Sequence, residues 1–215
     1  MSYIVMKKIA IVIIAALFSV SLFAQQDAQA KAALEKAVSI VKKSALKVVF
    51  STTITSPASK KQTIDGTLFL KGDKFKLLMN DAQSFFDGKT QWVYVPDNKE
   101  VTISTISSKE QEEINPLSVL SQYGGKDSKI VFNKENNATA LNVIDIYPAI
   151  QSTNAFRIIV KLSKKTNYPA SIQLFHKDGS TTTIIIKSFQ EVSLDNSTFT
   201  FNPKSYPGVT VNDLR

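Results

Sequence analysis

Residues 86–96, Phe-Asp-Gly-Lys-Thr-Gln-Trp-Val-Tyr-Val-Pro, decide how this chain is built. Asp87-Gly88 is a hairpin dipeptide, because a tight turn there needs positive φ and glycine adopts it without a Cβ clash. After the turn the side chains alternate. Trp92 and Tyr94 therefore share one face of a strand, and Gln91, Val93 and Val95 share the other. Asp97-Asn98 turns the chain again before a new alternating run, Val101 to Ile106. The same pattern extends in both directions. Strands are expected at 46–56, 61–71, 74–80, 83–87, 90–96, 100–106, 128–134, 139–147, 155–163, 169–177, 180–190 and 197–201. Turn residues separate them, among them Ser56-Pro57, Gly72-Asp73, Glu135 to Asn137, Lys177 to Gly179 and Leu194 to Asn196. A dozen consecutive antiparallel strands exceed what an open sheet holds flat. The expected fold is mainly β, a single strongly curved antiparallel sheet forming an incomplete barrel.

Two stretches depart from the period of two. Asp27 to Lys43 has helical spacing, with Leu34, Ala37, Val38 and Val41 on one face and Asp27 placed to cap it. Ser107 to Gly125 interrupts the meander. Ser107 with Glu110 and Ser108 with Gln111 have capping-box spacing, and Asn115-Pro116 is a cap followed by proline. Leu117, Leu120 and Tyr123 then share a face, and Gly124-Gly125 ends the segment. Two helical elements are thus available to cover the hollow of a curved sheet. If side chains fill that hollow it is a core; if the helices only cover it, it is a cavity.

The N-terminus reads as a secretory signal: Lys7-Lys8, an apolar stretch from Ile9 to Val20, then Ser21 to Ala24 before Gln25. Cleavage is expected after Ala24, with Ala28-Gln29-Ala30 as a fallback, so residues 1–24 are the signal and 25–215 a single domain. The apolar stretch is shorter than the roughly 20 residues a spanning helix needs. The chain has no cysteine, which excludes both disulfides and a lipid-modified N-terminal cysteine. A soluble periplasmic protein held together by burial alone is the expected product. The net charge is +8, but the basic residues are scattered lysines, and the arginines are Arg157 and Arg215. Nucleic-acid readers use Arg forks and clustered basic faces, so no nucleic-acid partner is expected.

Catalytic chemistry finds few residues to use. The single histidine, His176, sits beside the Asp178-Gly179 turn, and with no cysteine an ordinary zinc site is excluded. Asp81 and Asp87 flank turns, where local hydrogen bonding accounts for them better than a glycosidase pair. The chain is therefore expected not to be an enzyme and to need no cofactor. What remains is apolar side chains on alternating strands. Phe75, Leu77 and Met79 form one set, Trp92 and Tyr94 another, and Phe156, Ile158, Val160 and Leu162 a third, with Ile54 and Leu70 on the same surface. An ordinary filled core is one reading of these residues; the wall of a cavity is the other.

The run 86–96, preceded by Gly66-Thr67-Leu68-Phe69-Leu70-Lys71 and Phe75, resembles the central signature of the periplasmic outer-membrane lipoprotein carrier family (LolA-like). Phe199-Thr200-Phe201-Asn202-Pro203 with Pro207 to Asp213 resembles the family's closing motif, and Ile114-Asn115-Pro116-Leu117 its inserted helix. The similarity spans most of 27–215. It implies a half-barrel whose hydrophobic cavity holds the acyl chains of a lipoprotein in transit from inner to outer membrane. Implied cavity residues are Ile54, Leu70, Phe75, Leu77, Met79, Trp92, Tyr94, Phe156, Ile158 and Val160; implied lid residues are Leu34, Val38, Val41, Leu117, Leu120 and Tyr123. Implied partners are acylated lipoproteins, an inner-membrane ABC-type release complex as donor and an outer-membrane receptor as acceptor, with the carrier acting as a monomer. A lipid-sensing envelope regulator, or a shuttle for another lipid, fits the same scaffold. Family members often carry an Arg-Pro pair after the strand ending here at Lys71, and that Arg holds the lid. This chain reads Lys71-Gly72-Asp73-Lys74, which makes Lys71 and Lys74 the candidate latches, each a point charge without the guanidinium fork.

Overall fold

The computed structural model describes residues 27–107, 110–111, 114–124, 128–133, 140–149 and 154–215. The expected signal, Ser108, Gly125 and the 135–137 turn lie outside the described residues. Helix α1 covers residues 27–43 and turns Ala30, Leu34, Ala37 and Val41 inward, the spacing of one helical face. Six strands follow: β1 (Ala45–Ser56), β2 (Ser59–Lys71), β3 (Lys74–Met79), β4 (Gln83–Phe86), β5 (Thr90–Val95) and β6 (Glu100–Thr105). Helical residues at 110, 111 and 114 lead into the short helix α2 (Ser118–Tyr123). Then come β7 (Lys129–Phe132), β8 (Leu141–Tyr147), β9 (Ala155–Ser163), β10 (Pro169–His176), β11 (Thr181–Glu191) and β12 (Thr210–Asp213).

All twelve strands form one sheet in the order β12-β6-β5-β4-β3-β2-β1-β11-β10-β9-β8-β7. Two antiparallel meanders, β1 to β6 and β7 to β11, are joined where β1 pairs with β11. The edges β12 and β7 do not pair, so the barrel stays open. In a flat sheet β4 and β7 would lie roughly 38 Å apart at the usual strand spacing. Yet Phe86 of β4 and Ile130 of β7 belong to one buried cluster with Leu34 of α1 and Leu120 of α2. The sheet curls around the helices, and its concave face is the core.

Two bulges set which side chains reach that face. On β11, Val49 pairs with Ser188 but Phe50 pairs with Ile186, leaving Lys187 as an extra residue. The slip changes parity, so that Ile184, Ile186 and Phe189 all pack on the core. On β9, Phe175 faces Arg157 and His176 faces Ala155, which leaves Phe156 outside the pairing.

The expected strand at 197–201 is a correction. Asn196–Phe199 is a 3-10 turn, followed by a second at Pro203–Ser205 and then β12, which pairs parallel to β6. Phe201 and Tyr206 from this segment lie on the convex face against Phe85 and Tyr94. An alternating Phe-Thr-Phe run suits a strand, but its rings are buried here without any ladder partner.

Candidate functional site

The concave face carries the apolar residues of both meanders. Leu70, Phe75, Leu77, Ile158 and Val160 are buried on it, and Met79 packs at its margin. The helices fill much of the hollow: Leu34, Leu117 and Leu120 are fully buried, Val41 nearly so, and Val38 and Tyr123 pack against the same cluster. These expected cavity and lid residues converge as one group.

The hollow is not filled to its end. Where β1 and β2 run past the helices, an apolar cavity of about 310 Å³ remains. Phe50, Ile64, Leu77 and Met79 wall it from β1 to β3, and Leu174 and Ile184 from β10 and β11. Ile114, Pro116, Val119 and Tyr123 roof it. Thr52, Thr182, Asn115 and Gln122 are its polar members. Ile64 is 40 % exposed and Ile54 37 %, although alternation places both on the concave face. Ile64, at the open edge of the cavity, and Ile54 beyond it form an apolar lip. Partial burial pushes the Tyr123 phenol up from its ordinary pKa.

Two glycines permit close approaches in this core. A Cβ on Gly66 would lie 2.5 Å from Phe50 Cζ, so glycine is what lets that ring lie flat over β2. A Cβ on Gly124 would lie 2.6 Å from the Leu120 carbonyl oxygen and 3.3 Å from Leu34 Cδ2. Gly124 thereby allows the end of α2 to approach α1 closely.

Three expected cavity residues lie elsewhere. Trp92 and Tyr94 face the convex side, packed with Phe85, Val101, Phe201 and Tyr206. The concave side of β4 and β5 instead carries a buried pair in which Gln91 Nε2 donates to Ser84 Oγ at 3.0 Å. Alternation identified the Trp92–Tyr94 pair but could not say which side it faces. Phe156 shares parity with Ile158 and Val160, yet the β9 bulge ejects it; it is 52 % exposed beside Phe175.

Among the described residues Lys71 and Lys74 do not bond the helices. Lys71 Nζ donates to the Leu194 carbonyl at 2.7 Å, and Lys74 Nζ to Asn196 Oδ1 at 3.2 Å, so both fasten the segment after β11. A tie to the cover among the described residues is Gln111, whose Nε2 donates to the Asp73 carbonyl at 2.6 Å. It crosses a second, more polar cavity of about 340 Å³ beside Gly72, Asn115, Ser118 and Ser121. The expected capping box is present. Ser107 N and Oγ both donate to Glu110 Oε2, and Glu110 N donates to Ser107 Oγ. These bonds hold the Glu110 carboxyl below the usual carboxylate range. Asn115 accepts from Leu117 N through its side chain, although α2 itself begins at Ser118.

Sequence reasoning missed Phe50, Ile64, Ile114, Val119, Leu174 and Ile184. Their strands and helix were legible, but the β1–β11 pairing that gathers them was not. His176, expected at an exposed strand end, is half-buried, with Nε2 3.1 Å from Thr182 Oγ1 and Nδ1 without a partner among the described residues. Asp87 Oδ1 accepts from Lys89 N and Thr90 N, the local turn role.

An open, curled, mostly antiparallel sheet seated around helices, with an apolar cavity under its helical roof, defines a lidded half-barrel. A family model described as outer membrane lipoprotein carrier protein LolA matches residues 42–202, and the chain belongs to that family. Among solved structures, an uncharacterized conserved protein from Thermus thermophilus aligns with TM-score 0.53 at 10 % identity, over 86 % of this chain and 99 % of that one. A LolA superfamily protein from Nitrosomonas europaea aligns with TM-score 0.42 at 11 % identity, over 80 % and 97 % of the two chains. A putative outer membrane lipoprotein-sorting protein domain from Vibrio parahaemolyticus gives 0.44 at 12 %, over 84 % and 99 %. The comparison with curated proteins returns no match. No described helix is long and apolar enough to cross a membrane.

Proposed function

We propose that this protein is a periplasmic carrier that shields the acyl chains of lipoproteins and moves them from the inner to the outer membrane. The observation that carries the reading is the 310 Å³ apolar cavity left between the concave sheet and its helical roof. At about 30 Å³ for a group the size of a water molecule, it accommodates about ten methylenes. Burying these is worth about 8 kcal/mol, at about 0.8 kcal/mol each. Three acyl chains hold roughly forty methylenes, or about 30 kcal/mol of exposure to avoid in transit. The present volume admits one chain end.

Full loading therefore requires α1 and α2 to move out and surrender Leu34, Leu117 and Leu120 to cargo. The exchange of protein methyls for acyl methylenes is nearly balanced, which suits a carrier that must also release. Ile54 and Ile64 at the lip make first contact with an entering chain. The donor is an inner-membrane ABC-type release complex and the acceptor the outer membrane or a receptor on it. Neither step makes or breaks a covalent bond, so no catalytic residue and no cofactor is involved.

The test is to purify the protein from its native envelope and identify bound lipid by mass spectrometry. Lipoprotein acyl species support the carrier. Free phospholipid or glycolipid points to a shuttle for another lipid, and an empty protein refutes both.

A further inference from the structure

The convex face carries a second feature, separate from the cavity. A row of side chains crosses it from strand to strand: Lys47 opposite Phe69, Phe69 opposite Lys76, Lys76 opposite Phe85, and Phe85 opposite Trp92. The ammonium of Lys47 lies 5.8 Å from the Phe69 ring centre and that of Lys76 4.9 Å from that of Phe85. Neither lysine forms an ion pair among the described residues. At Lys76 the row meets the segment after β11, which leaves a groove of about 610 Å³. Ser197, Thr198 and Ser205 line it, and no acidic residue is among its described lining. Burial without a counter-ion holds the Lys76 ammonium below its ordinary pKa, the state of a cation that has lost water and gained no anion.

We infer that this groove is an anion site that takes a phosphate group on Lys76 and the hydroxyls of Ser197, Thr198 and Ser205. A tetrahedral oxyanion accepts hydrogen bonds from several directions at once, and an ammonium flanked by hydroxyls supplies them. The Phe85 ring, 4.9 Å from the Lys76 ammonium, helps to hold that cation in place, which lowers the ordering cost on binding. The neighbouring Lys74 donates to the neutral side chain of Asn196 and not to a carboxylate. The phosphate belongs either to a soluble phosphorylated compound or to a lipid headgroup.

The experiment is a titration of the ¹⁵N-labelled protein with inorganic phosphate at constant ionic strength, followed by amide shifts. Saturable shifts at Thr198, Phe201 and Ser205 are expected. Lys76→Met and Ser205→Asp should each weaken the dissociation constant by about tenfold or more, and Lys161→Met, on the exposed face of β9, should not. Lys76→Met removes the ammonium and keeps an unbranched apolar side chain; if its spectrum loses dispersion, Ser205→Asp decides alone. Sedimentation with vesicles of phosphatidylglycerol in phosphatidylcholine separates the sources. Co-sedimentation that Lys76→Met abolishes assigns the phosphate to a headgroup, and saturable phosphate binding without it assigns a soluble ligand. Shifts that never saturate, or an equal loss in Lys161→Met, overturn the inference.

Discussion

Replacing Ile64 by Glu separates binding from folding. Ile64 lines the cavity yet remains 40 % exposed, because β2 runs past the helical roof. A carboxylate there keeps much of its hydration in the empty protein, so stability should change by no more than about 0.5 kcal/mol. With an acyl chain in place the same carboxylate loses water and gains no partner; among the described residues the cavity lining offers it no cation. Desolvating an unpaired charge costs several kcal/mol. Against about 8 kcal/mol from ten buried methylenes, a penalty of about 3 kcal/mol weakens binding by more than about a hundredfold. Displacement of a fluorescent sixteen-carbon fatty acid measures the affinity, and urea denaturation measures the stability. Unchanged affinity in Ile64→Glu would refute the acyl cavity. A large loss of stability would show that Ile64 belongs to the packed core.

Leu77 should behave differently, since it is only 5 % exposed within the buried cluster. Leu77→Ala is expected to cost about 2–4 kcal/mol in urea denaturation, and Leu77→Glu to unfold the protein rather than merely empty it. Gly124→Ala places a Cβ 2.6 Å from the Leu120 carbonyl oxygen. Overpacking of about 1–3 kcal/mol should lower the melting temperature and speed amide exchange in α1 and α2. Gln111→Ala removes the bond to the Asp73 carbonyl and should raise amide exchange in α2, whereas Lys71→Ala should raise it only near Leu194. The Glu110 carboxyl has a lowered pKa in the folded state, so its contribution is complete above its unfolded pKa and is lost as pH falls through the folded value. Exchange in the helical cover should therefore rise on acidification below about pH 4.5, and Glu110→Ala should abolish that dependence.

Much of the architecture could be read from local pattern. The strand boundaries fall within a residue or two of expectation for most of the meander, because period-two burial and turn chemistry are short-range properties. The helical face of Leu34, Ala37 and Val41 and the Ser107–Glu110 box were legible for the same reason. The site was legible only in part. Leu70, Phe75, Leu77, Ile158 and Val160 were identified by alternation, whereas Trp92 and Tyr94 have equal alternation and lie on the opposite side. Phe156 was misplaced because a bulge costs one unpaired residue and has no signature in composition.

By itself the sequence determined a β meander of about this many strands, two helical inserts, the absence of disulfides and the resemblance to a carrier family. Only the tertiary structure decided which face of each strand is inward, which strands meet at the β1–β11 seam, and that Gln111 bonds the Asp73 carbonyl while Lys71 and Lys74 bond the segment after β11. The physical reason is range. Propensity, capping and turn geometry act over a few residues, but the side that a strand buries and the volume left unfilled depend on surfaces brought together from more than a hundred residues apart, as Phe50 and Ile184 are.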